Sequence, residues 1–254
     1  MKKIEFYSDI HGLTSTVPIL KTSEALPKWV NTLRADYKQN SKEKSHLYRC
    51  PGVFDLFTTG YIVTAWHDIT LKTDGENYGW ELPSAELQIL MGANQLAQAH
   101  SHRTTAKHLP RPPWAHPSVL KLNTPWHVVA PKGVKFLITH APYPDSFEFQ
   151  AMNGILDPGI STEINIQLDW HVPAGTHVIR AGTPLAQLIP LSEENFELVV
   201  RDKTPHDEEW SLKRRFVNGM SYMLNRPRIK RLYEEHFNLD KPQKTCPFSF
   251  WKKK

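Results

Sequence analysis

Strict alternation of apolar and polar residues marks the middle of the chain. Residues 163–170 place Ile164, Ile166, Leu168 and Trp170 on one side, with charged and amide residues between them. A period of two over eight residues is typical of a β-strand with one buried face and one solvated face. Weaker versions of this pattern occupy residues 134–140 and 147–150.

Turn residues separate these runs at short intervals. They are the pairs Asp74-Gly75, Asn153-Gly154 and Pro158-Gly159 and the triplet Gly182-Thr183-Pro184. The Pro-Lys-Gly sequence at 131–133 is predicted to join residues 124–130 and 134–140 in a β-hairpin. Short strands without a strand-helix-strand rhythm predict a mainly β protein, with an antiparallel β-sandwich or jelly-roll-like core.

Helical patterns flank the predicted sandwich. Residues 23–38 place Leu26, Val30, Leu33 and Tyr37 on one stripe, with a proline early in the helix. A second helix is possible over 86–98, whereas the proline-rich residues 108–117 are predicted to be a loop. Thr204 to Asp207 resembles a capping box with proline at the first helical position. We therefore predict a core domain over 1–203, C-terminal helices packed on it over 204–238, and a basic tail over 239–254.

Composition limits the class of protein. The 254 residues are 40% hydrophobic and 22% charged, which is ordinary for a globular chain. No apolar run approaches the roughly 18 residues that a membrane-spanning helix needs. Glu5 and Asp9 interrupt any signal-like core, so we predict no signal peptide and no secretion. Cys50 and Cys246 form no Cys-x-x-Cys motif and are expected to be reduced thiols.

Positive charge is concentrated at the C-terminal end. Residues 205–254 hold 12 Lys and Arg against 6 Asp and Glu, or +6, and the remainder holds 19 against 20, or −1. The excess is either a solvated helix face with a basic tail or a docking surface for an acidic partner, which is a negatively charged protein surface or nucleic acid. No membrane partner is predicted, and an oligomer is possible. The candidate partner-binding residues are Lys213, Arg214, Arg215, Arg226, Arg228, Lys230 and Arg231.

Thirteen histidines raise the question of a metal site. The His-x-His pair at 100 and 102, followed by a Pro-x-Gly turn and His177, resembles the ligand pattern of cupin-type jelly rolls. The pattern departs from theirs because no glutamate follows the pair and the later histidine comes one residue early. Periodicity also places His67 and His140 on apolar faces, where a core role is the simpler interpretation. The candidate metal ligands are His67, His100, His102, His140 and His177.

Two further hypotheses rest on short patterns. The run from Asp9 to Gly12, with His11, imitates the Asp-x-His-Gly start of metallophosphoesterases, but their later motifs are absent. Trp66, Trp80, Trp114 and Trp126 could line an aromatic ligand pocket, although tryptophan is common in cores.

Several segments resemble an uncharacterised family of phage-encoded proteins of marine cyanophage type. They are Cys50-Pro51-Gly52-Val53-Phe54-Asp55, Gly60-Tyr61-Ile62-Val63, Asn123-Thr124-Pro125-Trp126, Asn153-Gly154-Ile155-Leu156-Asp157, Pro173-Ala174-Gly175 and the block from Gly182 to Pro190. The resemblance implies a β-sandwich and a viral source, and hence a location in a host cytoplasm or a virion and a protein partner or virion component. It implies no activity, so catalytic residues stay unknown. The block from Gly182 is expected to be a turn that leads into a buried strand.

These observations favour a non-enzymatic structural or binding protein with no cofactor, because no complete catalytic constellation is present. The alternative is a metal-dependent, cupin-like enzyme of the jelly-roll class, for which a transition metal held by histidines would be the cofactor.

Overall fold

A computed structural model describes residues 1–42, 45–81, 97–101, 108, 110, 112–171 and 174–211. Strands predominate over helices, which confirms the predicted mainly β, antiparallel architecture. None of the helices in these ranges combines the length and the apolar character that crossing a bilayer requires.

Six strands form the largest sheet, sheet A: β1 (Lys2–Ser8), β6 (Ala97–Ser101), β7 (Ser118–Val129), β9 (Phe149–Ala151), β11 (Glu163–Trp170) and β14 (Phe196–Asp202). Their order is β14-β1-β7-β11-β9, and β6 pairs with the N-terminal half of β7. All pairs are antiparallel except β1 with β14, which run parallel in an unbroken register over seven residues. Sheet A therefore contains strands from both ends of the described chain.

Two smaller sheets complete the β-structure. Sheet B has the order β10-β8-β13-β3-β2, and sheet C has the order β12-β4-β5. Their bounds are β2 (Leu20–Lys21), β3 (Tyr61–Thr64), β4 (Ile69–Thr73), β5 (Tyr78–Glu81), β8 (Phe136–Thr139), β10 (Gly154–Leu156), β12 (Gly175–Ile179) and β13 (Pro184–Pro190).

A single main core draws on all three sheets. The apolar positions of β11 predicted from its alternation are each 0% exposed. They pack in one cluster with Trp126 of β7, Phe136 of β8 and Leu71 of β4. The block that follows Gly182 is likewise a turn leading into a buried strand, since Leu185, Ala186 and Leu188 are fully buried in β13. Burial of this apolar surface is the main driving force for the sandwich.

The predicted hairpin over residues 124–140 is wrong, because β7 and β8 do not pair with each other. β7 pairs with β1, β6 and β11 in sheet A, whereas β8 pairs with β10 and β13 in sheet B. The Pro-Lys-Gly turn does reverse the chain, and Gly133 adopts a φ of 88°. However, it carries the chain from one sheet to the other instead of joining two neighbouring strands.

The helices are α1 (Leu13–Thr16), α2 (Lys28–Gln39) and α3 (Pro51–Thr58), with 3-10 turns at Thr22–Glu24 and Leu47–Arg49. The predicted helix over 23–38 therefore begins later, at Lys28. Pro27 occupies the N-cap with an extended ψ of 150°, and the Asp145 carboxylate accepts a hydrogen bond from the Lys28 N–H. A cap supplied from a distant loop fixed this boundary, and no local pattern reveals it.

Two other helix predictions can be compared with the structure only over part of their length. Residues 97–101 form β6, so a helix reaching 98 is wrong at its C-terminal end, and 86–96 lie outside the described residues. The capping box is confirmed: residues 205–211 are helical, the Asp207 N–H donates to Thr204 Oγ1, and the Thr204 N–H donates to Asp207 Oδ2. The helices and the tail predicted beyond 211 lie outside the described residues.

Candidate functional site

The predicted metal ligands lie on separate elements. His100 is in β6 opposite Val119, and His177 is in β12 opposite Leu71. His100 is thus part of a strand. His67 lies between β3 and β4, His140 follows β8, and His102 falls outside the described residues. In the described part of the chain, no group of three or more His, Cys, Asp or Glu could hold a metal ion.

His67 has the surroundings of a core histidine. The side chain is buried, and its Nδ1 donates to the main-chain carbonyl of Asp68 at 2.7 Å. Its ring meets Trp66 edge-on, with 5.2 Å between ring centroids. Burial lowers the pKa of His67, against the opposing effects of the Asp68 carbonyl and charge. The neutral imidazole is therefore the stable form, and it serves to close the turn between two strands.

An aromatic–histidine cluster forms where β8, β9, β11 and β12 approach one another. Its members are Trp114, His140, Phe149, Trp170, His171 and His177. Phe149 and Trp170 stack with 6.0 Å between centroids, and Trp114 lies over His171 at 3.6 Å while remaining 47% exposed. Two predicted ligands, His140 and His177, belong to this cluster at separate ends.

Two histidines of the aromatic–histidine cluster favour the neutral state. Burial lowers the pKa of His140, and the charge of His171 lowers it further. Burial also lowers the pKa of His171, against the Phe147 carbonyl and the Asp169 charge. His140 Nδ1 accepts a hydrogen bond from the Ala151 N–H at 3.2 Å, which assigns its proton to Nε2. Chemically, the pair offers neutral imidazoles beside an exposed aromatic face.

The four candidate pocket tryptophans do not share one surface. Trp126 is 0% exposed in β7, and Trp66 is 4% exposed after β3. Trp80 packs against the same core from β5, whereas Trp114 is half exposed. The first three therefore pack with the core, Trp80 at its partly buried margin, and Trp114 is the most exposed of the four.

A second polar group, the Asp9 network, lies on the outer face of sheet A and was not predicted from the sequence. His127 Nε2 donates to Asp9 Oδ2 at 2.8 Å, and His127 Nδ1 lies 3.1 Å from Thr162 Oγ1. Lys203 Nζ binds the other carboxylate oxygen of Asp9 at 2.9 Å. Tyr7 stacks on the buried imidazole with 4.7 Å between centroids. This network joins the ends of β1, β7 and β14 to the start of β11.

The Asp9 network continues into a bidentate ion pair that anchors the last described helix. Arg201 Nη1 and Nη2 donate to the two carboxylate oxygens of Asp207 at 2.6 and 3.0 Å, and Nε donates to Glu5 at 2.8 Å. The Asp207 hydrogen bonds hold the pKa of Arg201 above its usual range. Arg201 also lies over the Tyr7 ring, 5.1 Å from its centroid. The helix that begins at 205 is therefore fixed to β14 and β1.

His11, the histidine of the phosphoesterase-like motif, stands apart from this chemistry. Its side chain is 94% exposed, and it pairs through Nδ1 with Asp202 at 3.0 Å. Asp9, two residues earlier, is committed to His127 and Lys203. The two side chains of the motif thus have different partners.

We expect Asp9→Asn to reduce stability near neutral pH and to flatten the acid limb of the stability curve. Partial burial alone would raise the Asp9 pKa, but hydrogen bonds and charges from His127 and Lys203 outweigh it and hold the pKa well below 3.8. The unfolded chain therefore takes up the proton first as the pH falls. The stabilisation is complete above about pH 5 and declines below about pH 4, and it amounts to about 1 kcal/mol because solvent screens this partly exposed group.

Urea unfolding between pH 3 and pH 7 measures this effect. The exposed Asp55, on α3, supplies a matched control in Asp55→Asn, whose pH profile should follow the wild type. A parallel profile for Asp9→Asn and wild type would contradict the assignment.

The sequence offered only weak signals for these residues. His171 continues the alternation of β11 by one position beyond Trp170, and this pattern could have identified it as a candidate site residue. His127 follows a buried tryptophan and so falls on the polar face of its strand. Its pairing with Asp9, 118 residues away, has no local signature. The seven predicted partner-binding residues, Lys213, Arg214, Arg215, Arg226, Arg228, Lys230 and Arg231, lie outside the described residues.

Comparisons with known proteins leave the family open. No family model matches the chain, and no curated protein matches it. Among solved structures, 22 chains match, including a mutant dUTPase from phage phi11 of S. aureus that was described for its structural Mg(II) ion. That protein is 14% identical, and the match covers 58% of this chain and 85% of that one with a TM-score of 0.30. A TM-score this low carries no argument about the function of this chain.

Proposed function

We propose that the chain is a phage-encoded, non-enzymatic binding or structural protein that acts in the host cytoplasm or the virion. The supporting observation is the use made of its polar side chains. In the Asp9 network, both nitrogens of His127 and both carboxylate oxygens of Asp9 are engaged with partners from distant segments of the chain. Groups with catalytic potential are thus employed in holding the sandwich together, which supports a scaffold.

The docking surface in this proposal is the basic segment 205–254, with its charge of +6. The first turn of this segment is fixed to sheet A through Arg201 and Asp207. A concentrated positive charge accelerates encounter with an acidic surface and suppresses cationic partners. The partner we propose is an acidic protein or virion component.

Replacement of the seven predicted partner-binding residues by glutamine tests this proposal. The full-length chain, immobilised, is incubated with extract of phage-infected cells, and retained proteins are quantified. We expect retention of the main partner to fall by at least about tenfold, because several charge pairs at an interface are lost together. The control replaces seven exposed basic residues of the scaffold by glutamine: Lys3, Lys21, Lys28, Arg34, Lys38, Lys42 and Lys132.

The outcomes separate the possible partners. Equal retention by wild type, docking variant and control variant would remove the docking role of the C-terminal segment. Retention that disappears from the wild type after nuclease treatment would identify nucleic acid as the ligand instead of protein, and it would show the steep salt dependence of phosphate binding.

The alternative function is a metal-dependent enzyme of the jelly-roll class. It is favoured by one observation, namely that burial lowers the pKa of both His140 and His171 and that the charge of His171 lowers the pKa of His140 further, which favours the neutral form that binds metals. A metal would need at least one further ligand beyond this pair. The metal content of the purified chain separates the two functions.

A further inference from the structure

The outer edge of β14 is the longest strand edge at the end of any described sheet. β14 has seven residues, whereas β2, β5, β9, β10 and β12 have two to five. Among the described residues, β14 pairs only with β1, and no main-chain hydrogen bond reaches its second edge. The strand contains no proline and pairs with β1 without a bulge. Such an edge is a template for another strand.

The two faces of β14 differ in chemistry. Phe196, Leu198 and Val200 pack against the main core. The intervening positions, Glu197, Val199 and Arg201, share the outer face with the polar residues of β1. Residues that oppose each other across paired strands lie on the same face of a sheet. If a second copy of β14 pairs with the first by a two-fold axis, the axis must therefore pass through a residue. An axis between two residues would set core-facing side chains opposite outward-facing ones.

Charge then selects the centre. With the axis at Val199, Leu198 opposes Val200 of the second copy, and Glu197 opposes Arg201 of the second copy. An axis at Leu198 would place Glu197 opposite Val199 of the second copy. An axis at Val200 would place Arg201 opposite Val199 of the second copy. Only the first register pairs apolar with apolar side chains and opposite charges with each other.

Arg201 has the capacity for this contact. Four of its five N–H groups are used by Glu5, by both oxygens of Asp207 and by the Asp202 carbonyl. One N–H on Nη2 is left, and Glu197 is exposed and acceptor-only when ionised. Because of the two-fold symmetry, the interface would contain this contact between Arg201 and Glu197 twice.

We propose that β14 pairs antiparallel with β14 of a second copy of this chain, centred on Val199, so that the two copies of sheet A form one continuous sheet. This is an isologous interface of the kind that closes as a dimer. The proposal concerns the edge of sheet A and is independent of the docking segment.

Sedimentation equilibrium of the full-length chain at about 1–100 μM tests the proposal, a range that brackets dimers of moderate affinity. We expect a wild-type mass of twice 29.3 kDa at the upper end. Glu197→Arg sets two arginines against each other at both contacts, so we expect dimerisation to weaken by about tenfold or more. Asp55→Arg makes the same charge change on α3 and should dimerise like the wild type. Circular dichroism verifies that the variants are folded.

A wild-type chain that stays monomeric at about 100 μM, a concentration well above the dissociation constants of specific dimers, would overturn the proposal. So would equal dimerisation of Glu197→Arg and Asp55→Arg. If Glu197→Arg fails to fold, Val199→Cys in a Cys50→Ser, Cys246→Ser background gives a second reading, since opposed residues of antiparallel strands lie about 4.5–5.5 Å apart at their Cα atoms. Oxidation should then join two copies through position 199. Failure to cross-link would equally overturn the proposed register.

Discussion

Replacement of Gln187 by leucine is expected to lower the free energy of unfolding by about 2 kcal/mol, and replacement by glutamate by about 4 kcal/mol or more. Gln187 is 1% exposed in β13. Its Nε2 donates to the carbonyl oxygens of Leu56 and Thr59 at 2.8 and 2.7 Å, and Thr22 Oγ1 lies at 3.2 Å. This amide group therefore ties the C-terminal end of α3 to sheet B.

The two substitutions differ in what they leave behind. Leucine conserves the approximate volume but removes the donor to the part-buried Leu56 carbonyl, and leaving such a group unsatisfied costs about 1–3 kcal/mol. The Thr59 carbonyl still accepts a hydrogen bond from Thr22 Oγ1. Glutamate adds a buried negative charge that faces oxygen atoms, which is more costly. Urea unfolding measures both effects. Gln150→Leu, on the exposed side of β9, makes the same change without these contacts and should lie within about 0.5 kcal/mol of wild type. A Gln187→Leu chain as stable as the Gln150→Leu chain would refute this role.

Gly60→Ala is expected to destabilise the chain by about 4 kcal/mol or more, or to prevent folding. Gly60 connects α3 to β3 with a φ of 75°, a conformation that costs an L-residue with a side chain about 1–2 kcal/mol. A Cβ atom at this position would overlap the main-chain carbonyl of Leu188 and would lie 3.1 Å from the Cα of Ile189. Because both obstacles are backbone of the central strand β13, neither can rotate away.

Gly182→Ala is the matched control for this effect. Gly182 has a nearly identical φ of 82°, but a Cβ atom there would meet nothing within 4 Å. The conformational cost is therefore shared, and the difference in thermal unfolding midpoint between the two variants isolates the close approach of Gly60 to β13. Equal midpoints would show that the two segments are not in contact as described.

The local sequence pattern was sufficient to predict the strands that bury one complete face. β11 and β13 were predictable because their alternation or their apolar run requires a particular face to be covered. The final capping box was predictable for a similar reason, since its hydrogen bonds join residues only three positions apart. In each of these cases, the interaction that determines the structure is encoded within a few residues.

Strand partners and helix boundaries were not predictable in this way. The turn at 131–133 specifies a reversal but not which strand lies beside the next one, and hence the hairpin prediction was wrong. The parallel pairing of β1 with β14 places Lys2 beside Phe196, and no sequence pattern predicts a pairing over this separation. The start of α2 depends on Asp145, which approaches from a loop more than a hundred residues later. Long-range packing decided all three.

The same distinction applies to the candidate sites. Histidine content and the His-x-His spacing drew attention to His100 and His177, which the structure places in different sheets. His127 was missed because it belongs to no motif, and the motif that contains Asp9 pointed to His11 instead of to His127, the residue that Asp9 pairs with. Counting residue types therefore identified where chemistry was possible, and only the fold distinguished residues that support strands from residues that face a common space.

Transition-metal content is the most direct test of a non-enzymatic function for this chain. Full-length protein purified without a polyhistidine tag is dialysed against buffer with equimolar Fe²⁺, Zn²⁺ or Cu²⁺ and then analysed for metal. We expect less than about a tenth of an equivalent per chain, because a site of useful affinity needs three or more convergent ligands. About one equivalent per chain that is lost in a His140→Ala, His171→Ala variant would contradict the binding-protein account and favour the metal-dependent enzyme.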